Sequence, residues 1–594
     1  IFKKRFYFGD DDTFDPKLLI EINKYDNDIL EIKKTDSNYL NNPGYIQLQQ
    51  NIDTIKNDSS IFKECKKVYE KEYPYEIDGL VFTPRSLFVG EEPERTKKNM
   101  FDGRWYRCFK WKPPELNTID FLVKIKKDPS DTHKDLIKYI NVDGNIVAYK
   151  TLLLYVGYNP AIHTKHNSFR ILNENLMFDE EYSPTLFNPT SPYIKDVHLA
   201  FVEVKNDNIY TNDDNNIIND NDIIECSYDL STSSIFKWNP LRVRDNFKPN
   251  DFVTATNVWN SINNPISLDM VLNSNASIDY DDNYYNRIIK RTSRKCNSMY
   301  DFHSYVKKNL IIKNLGGNKC LLDLCVGKGA DLNHWIDAEA NFIVGIDISH
   351  DNLTNSNNGA CNRILNKSLE SGTSKYAENS LMIWGDVSKN ISNMGNDELN
   401  QYYLDIVYNN IEKELITNSK LRTIYDIGGL FDCVSCQFAI HYLFENSIKL
   451  NNYIKNVSDS LKPGGKFIGT YLDGKMIFDE LKETNTIQNH DEILCWKITK
   501  KYTQSVFNDD DSCLNYEIDI YNESIGKSIK EYLVNSDYLN TICDKYNLQL
   551  VENKSFKDIY KEIEDDVKYG DMTKMNDELK KYSFLNNYFI YQKY

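Results

Sequence analysis

The chain has 594 residues, with 71 Lys and Arg against 88 Asp and Glu, for a formal net charge of −17. Hydrophobic residues make up 41% and charged residues 27%, a globular balance, and at roughly 150 residues per domain the length allows three or four domains. No run approaches the ~20 apolar residues of a membrane span and no signal-peptide pattern opens the chain, which excludes membrane and small disulfide classes; the acidic balance argues against coating of nucleic acid by bulk charge and leaves a nucleic-acid role only to local basic clusters that read an end or a single nucleotide.

Residues 1–127 mix short helical and strand patterns and are expected to form one domain. Within it, YEIDGLVFTPRS (75–86) reads as a strand carrying Asp78 ahead of Gly79. RCFKWKPPELNTIDFLVK (107–124) places Lys110 and Lys112 on one strand face, because residues i and i+2 share a face. Two adjacent ammonium groups can neutralise a triphosphate. Asp78 and Asp120 offer the hard oxygens that a divalent Mg or Mn ion prefers.

Residues 128–265 are expected to form a second domain. NIVAYKTLLLYVG (145–157) is a strong strand, and short strands broken by Asn, Asp, Pro and Gly follow, which suggests a small β-barrel or sandwich. NDDNNIINDND (212–222) reads as a solvated loop. In KWNPLRVRDNFKPN (237–250), Arg242 and Arg244 share a face and can clamp β- and γ-phosphates. Residues 266–284 show weak periodicity and read as a linker.

From 285 to 594 the pattern changes to α/β. CLLDLC, FIVGIDI, LMIWGD, FDCVSC and GKFIGTYL alternate with helical segments, the mark of a parallel sheet. In KCLLDLCVGKGADLNHW (319–335) an apolar strand ending at Asp323 runs into a loop with Gly327 and Gly329, and a helix starts near Asp331. Glycines allow a sharp turn and close approach of backbone to ligand. The next strands end in Asp347 and Asp386. An acid at the second strand end suits ribose hydroxyls, and one at the third can meet an adenine amino group. The three acids together place a nucleoside at the carboxyl edge of the sheet. A dinucleotide is the competing ligand, but the loop is DLCVGKG and not GxGxxG, and Asp323 would repel a pyrophosphate.

Further segments extend this reading. FDCVSCQFAIHYLFE (431–445), LKPGGKFIGTYLDG (461–474) and DFHSYVKKNLI (301–311) resemble the messenger-RNA cap guanine-N7 methyltransferases over about residues 285–594. The resemblance implies S-adenosylmethionine binding by Lys307, Asp323, Cys325, Gly327, Asp331, Asp347, Asp386 and Gln437. It implies contacts to the cap guanine and RNA from His303, Ser304, His441, Tyr442 and Glu531. Two departures stand out: Cys325 occupies a usual glycine position, and His303 and Ser304 replace paired asparagines. No catalytic general base is expected, because guanine N7 carries a lone pair and no proton.

EIDGLVFTP, KWKPPELNTIDF and the RVR segment, in this order, resemble the last three motifs of the GTP:RNA guanylyltransferases. That family joins a nucleotidyl-transferase domain to an OB-fold domain. The implied chain is a multidomain α/β protein: a partial nucleotidyl-transferase domain, an OB-fold-like barrel, and a Rossmann-like class I methyltransferase domain. The nucleophilic lysine of a KxDG motif, which GMP transfer requires, is absent; KYDND (24–28) lacks the glycine and NVDGN (141–145) the lysine. With Ile1 as the first residue, the expectation is a truncated front. The arrangement resembles the multifunctional capping enzymes of large cytoplasmic DNA viruses, which implies the 5′ end of mRNA and GTP as partners. It also implies an activating subunit or viral RNA polymerase, no membrane, and a location in the viral factory of the host cytoplasm or the virion. A non-catalytic scaffold subunit of a capping complex, and a small-molecule methyltransferase fused to an unrelated β domain, remain as alternatives.

Twelve cysteines are scattered along the chain, and the setting expected for them is reducing. The lone CxxC, Cys433 and Cys436, reads as part of a buried strand and not as a zinc site.

Overall fold

The computed structural model describes residues 61–75, 77–82, 109–142, 144–159, 166–175, 183–190, 192–245, 248–273, 296–317, 319–491 and 494–594, with residues 45, 47, 48 and 163 besides. KYDND, Ile1 and most of FTPRS lie outside them. The chain forms two compact units: residues 1–158, 184–192 and 196–279, and residues 159–183, 193–195 and 280–594.

In the first unit, β1 (Leu80–Phe82) pairs antiparallel with β2 (Phe109–Trp111). Gly79 precedes β1 at φ +137°, and a Cβ there would lie 2.0 Å from the Trp111 carbonyl oxygen, so this turn excludes every other residue. A seven-stranded sheet follows. It comprises β3 (Ile119–Ile125), β4 (Ile137–Val142), β5 (Asn145–Tyr158), β6 (Ser183–Leu186), β7 (Leu199–Glu203), β8 (Ile223–Tyr228) and β9 (Trp238–Val243). The order is β9-β8-β3-β5-β4, with β6 and β7 also paired to the long β5. Along β3, Ile119, Phe121, Val123 and Ile125 point inward while Asp120 and Lys124 point out, the period of two that the sequence shows. Phe121, Phe187, Trp238 and Trp259 pack as an aromatic core, Trp238 donating from Nε1 to Val197 O at 2.7 Å. Helix α1 (Phe252–Asn263) is capped by Asp251, which accepts from Thr254 N.

Three sequence expectations change here. A boundary after residue 127 would separate β3 from its partners β5 and β8. A strand with one apolar face needs a sheet, and its neighbours come from later in the chain. Leu268–Asn273, inside the expected linker, is a short helix. Residues 159–183, inside the expected β domain, fold with the second unit. Their helix, Ser168–Glu174, lies along a strand edge: Asn173 Nδ2 donates to Met382 O at 2.6 Å and Asn173 Oδ1 accepts from Met382 N at 2.9 Å. One amide thus satisfies backbone groups that an edge strand would leave open.

The second unit is built on a sheet of β10 (Cys320–Leu324), β11 (Phe342–Asp347), β12 (Ser380–Trp384), β13 (Phe431–Gln437), β14 (Leu461–Leu472), β19 (Leu548–Ser555) and β20 (Asn586–Lys593). The order is β12-β11-β10-β13-β14-β20-β19. The first five strands are parallel, and β20 and β19 are antiparallel. Every residue of β11 is buried, as expected of a strand covered on both faces. A second, four-stranded antiparallel sheet joins β15 (Thr486–Gln488), β16 (Trp496–Lys500), β17 (Glu517–Asn522) and β18 (Lys527–Tyr532). The long helix α2 (Asn297–Leu315) precedes β10. This is a Rossmann-like α/β unit, and the chain reverses direction across the sheet between β10 and β13, where such folds hold ligands.

Candidate functional site

The loop after β10 is shaped by three residues in left-handed conformations: Cys325 at φ +65°, Gly327 at +57° and Gly329 at +63°. A Cβ on Gly327 would meet nothing within 4 Å, so the backbone there faces open space. Cys325 has the conformation that favours glycine, and a cysteine there carries roughly 1–2 kcal/mol of strain. Its thiol meets that of Cys436 on β13; this contact and burial push the Cys325 thiol well up. Cys433 and Cys436 are both buried within β13.

Asp347, at the end of β11, holds the loop. Its Oδ2 accepts from Gly327 N at 2.7 Å, and its Oδ1 accepts from Ser349 N at 2.9 Å and Asn352 Nδ2 at 3.1 Å. Burial nevertheless pushes its carboxyl up. Of about four lone-pair positions on a carboxylate, three are used, so one remains for a ribose hydroxyl. Asp323, buried between β11 and β13, is pushed well above the carboxylate range by burial and by Asp331. Asp331 stands at the N-cap position of the short helix α3 (Leu332–Asp337), which starts where the sequence suggests, but its side chain makes no capping hydrogen bond. Burial works against its charge, but the Lys307 ammonium at 2.5 Å and the His334 ring nitrogen at 3.1 Å bring it down to about 2. Lys307, from α2, is therefore engaged with Asp331 and also lies near Asp323. Ser304, one turn before it, contacts His334 Nε2 at 3.1 Å.

Other expected contacts are arranged locally. Asp386 Oδ1 accepts from Ser388 N and Oγ. Gln437 bonds Ser435 Oγ and Thr470 Oγ1, both at 3.1 Å, and so lies along the sheet. Residues the sequence reading passed over line the same edge: exposed Ile348, and Trp384, whose Nε1 donates to Ile348 O at 2.8 Å. Lys328, inside the loop, donates to Asn358 Oδ1 at 3.0 Å.

Beyond β13 the backbone turns sharply at Phe438, φ +52°, whose N–H is held by Thr470. The 3₁₀ helix Ile440–Glu445 then presents His441 and Tyr442, their rings 4.2 Å apart. Glu531, on β18, faces His441: Oε2 lies 3.3 Å from Nε2, and both residues are buried. Burial pushes Glu531 up to about 8 and His441 down to about 3, so the pair is neutral near pH 7. A column of near-parallel rings stands beside them. Trp496 and Tyr582 are 5.4 Å apart, Tyr582 and His303 6.3 Å, and His303 and Phe438 5.5 Å. His303 also contacts Ser583 Oγ at 2.9 Å, and burial with Lys307 pushes it down to about 3. Nothing local in the sequence marks Tyr582, which lies 279 positions after His303 and stacks beside it in the column.

In the first unit, Lys110 and Lys112 share a face and both reach Asp78 Oδ2, at 3.0 and 3.7 Å. Lys110 holds the Asp78 carboxyl below its ordinary value. Arg242 and Arg244 meet Glu225 at 2.6 and 3.4 Å, and Arg244 lies 3.5 Å from Asp120. Burial opposes the charge on Glu225, but Arg242, Thr118 and Arg244 hold it below its ordinary value. Glu225, opposite Arg242 on the neighbouring strand, was not singled out by sequence. Asp78 and Asp120, expected to hold a metal, each face cations instead. Among the described residues no three His, Cys, Asp or Glu side chains gather as a metal site. Two ammonium groups around the single Asp78 carboxylate make a cluster of net positive charge that does not favour a divalent ion there.

Comparison with known proteins extends the geometry. Residues 272–587 match the mRNA (guanine-N(7))-methyltransferase domain, and residues 116–272 match the mRNA capping enzyme, C-terminal domain. The chain is 27% identical over 537 residues to the protein named "Probable mRNA-capping enzyme" of Acanthamoeba polyphaga mimivirus, covering 83% of this chain and 42% of that protein. It is 24% identical over 533 residues to the mRNA-capping enzyme of African swine fever virus (strain Badajoz 1971 Vero-adapted), covering 85% and 52%. The mRNA cap guanine-N(7) methyltransferase of Cryptococcus neoformans var. neoformans is 26% identical over 275 residues, 45% of this chain and 36% of that one. The chain spans about half the length, or less, of these curated relatives. S-Adenosylmethionine is the cofactor this family implies, and the open backbone at Gly327 beside the one remaining acceptor position of Asp347 fits a nucleoside. With a family match over more than half its length, the chain belongs to the mRNA (guanine-N(7))-methyltransferase family.

Proposed function

We propose that the second unit methylates N7 of the guanine of an unmethylated 5′ cap. Bound S-adenosylmethionine supplies an electrophilic methyl group. Asp347 orients a ribose through its free acceptor position, and Ile348 and Trp384 offer apolar surface to the adenine. Asp386, just past β12, and Gln437, at the end of β13, serve as further contacts to the nucleoside. Lys307 and Asp331 neutralise one another and keep the neutral Asp323 beside the cofactor. N7 needs no deprotonation, so alignment of nucleophile and methyl is sufficient catalysis.

The observation that carries the reading is the buried Glu531–His441 pair. A buried carboxyl without a cation suits the neutral N1–H and N2–H donors of guanine. Tyr442 adds ring surface for the base, and His303 and Ser304 stand on the helix that backs the pocket. The test is methyl transfer by the full chain to GpppG, to its inosine counterpart lacking the 2-amino group, and to small amines. Transfer to GpppG, weakened for inosine, is expected. Transfer only to amines would favour the small-molecule reading and sink this one.

We further propose that the first unit is the back part of a guanylyltransferase and carries an OB-fold-like barrel. Lys110, Lys112, Arg242 and Arg244 would exchange their carboxylate partners for the phosphates of GTP. The proposed partners are the 5′ end of mRNA and an activating subunit or viral RNA polymerase, in the cytoplasm of an infected cell or in the virion. Incubation with radiolabelled GTP, followed by a denaturing gel, should show no covalent GMP. A labelled lysine within residues 1–262 would contradict the assignment of Lys110 and Lys112 to phosphate. Binding of capped RNA by the full chain without any methyl transfer would favour a scaffold role.

A further inference from the structure

Cys296 and Cys495, 199 residues apart, are joined by a disulfide, and both are buried. The scattered cysteines gave no sign of it, and a reducing setting was expected. The bond lies at one end of the column of rings. Cys296 is the N-cap residue of α2, the helix that carries Tyr300, His303, Ser304 and Lys307. Cys495 directly precedes Trp496, the outer ring of the stacked column whose third ring is His303. The two sides are also tied by Tyr300, whose hydroxyl donates to Asn522 Oδ1 at 2.7 Å, and Asn522 is the cross-strand partner of Trp496. Trp496 is further held by Nε1 donating to Glu578 O at 3.0 Å. A covalent bond therefore sets the spacing between the helix bearing one ring of the wall and the strand bearing another. Glu531 lies close enough to Tyr582, the ring between them, that its carboxyl helps burial push the phenol up.

We propose that the Cys296–Cys495 disulfide is a redox-dependent staple that positions the aromatic wall of the guanine pocket, so that cap binding is tighter in the oxidised protein than in the reduced one. This rests on the reading of that pocket as the guanine site. In forming the bond, two thiols lose two protons and pass two electrons to a low-molecular-weight disulfide, which leaves as two thiols. Reduction by a dithiol runs the same exchange backwards through a mixed disulfide. Because both sulfurs are buried, exchange requires local opening at the start of α2, and this makes the switch slow and confined to the pocket's edge.

The test uses the full chain. Non-reducing proteolysis of the air-purified protein should yield the Cys296 and Cys495 peptides as one linked species. Binding of GpppG should weaken on the order of fivefold to tenfold on reduction, the size of an ordinary coupling between sites. S-adenosylmethionine affinity should change much less, and KM for GpppG should rise more than kcat falls. The C296A/C495A variant should match the reduced protein and no longer respond to reductant, with thermal melts run alongside to establish that each form is folded. Free thiols in the air-purified protein, or equal GpppG affinity in the two redox states of the wild type, would overturn the proposal and leave the pocket's reading standing. No GpppG binding in either state would overturn that reading, and the proposal with it.

Discussion

The phosphate-site carboxylates of the first unit and Glu531 of the second live in opposite surroundings. In the first unit Asp78 faces Lys110 and Lys112, and Asp120 faces Arg244; the Lys110 and Asp78 side chains are about half exposed or more. In the second unit Glu531 is buried against a neutral imidazole, with no cation beside it among the described residues. An ion-paired cluster is already satisfied, whereas a buried carboxyl that faces only a neutral ring stays neutral until a ligand offers it donors. The contrast teaches where ligand energy resides: little is held in reserve at the first cluster, much at the second.

The sharpest way to break this contrast is Glu531→Ala. Two hydrogen bonds to a charged acceptor are worth about 1.5–3 kcal/mol each, so kcat/KM for GpppG should fall by roughly 100-fold or more. Steady-state kinetics showing a loss smaller than tenfold would place guanine elsewhere. Asp347→Ala comes next. It removes the remaining ribose acceptor and the anchor of the glycine loop, and calorimetry should register a drop in S-adenosylmethionine affinity of about tenfold or more.

Acidity sharpens the comparison further. Glu531 is raised when folded, so its contribution to stability is complete below the ordinary glutamate value and is lost as pH rises toward about 8. His441 is lowered, so its contribution is complete above the ordinary histidine value and is lost as pH falls toward about 3. Denaturant melts should therefore show wild type losing stability relative to Glu531→Gln as pH rises through neutrality. Guanine needs the ionised carboxylate, so KM for GpppG should fall over the same range. At saturating GpppG, single-turnover methyl transfer should show no such titration, because no residue acts as a general base.

Smaller effects follow. Cys325→Gly removes left-handed strain and should stabilise the chain by about 1 kcal/mol, read as a higher Tm. At the other end of the comparison, Asp78→Ala should change stability by less than about 1 kcal/mol, since exposed ion pairs contribute little. A larger loss in the melt would mean that the first cluster is built into the fold and is not a solvated surface group.

The sequence by itself determined what repeats locally. The alternation in β3, the apolar runs of β10 to β14 and the glycine loop before Asp331 are short-range patterns, each dictated by which face of a strand meets a core or by which turn a residue type permits. It also placed Lys110 beside Lys112 and Arg242 beside Arg244, because period two is a property of one strand. Only the tertiary structure decided what those groups face. Lys307 meets Asp331, Arg242 meets Glu225, Glu531 meets His441 from 90 positions away, and Cys296 meets Cys495. Helix Ser168–Glu174 left the region around it in sequence for the edge of a distant strand, because Asn173 could complete the backbone bonding of Met382. Such pairings depend on sheet order and loop closure across hundreds of residues, and burial then sets the charge of the groups brought together. No window of sequence contains that information.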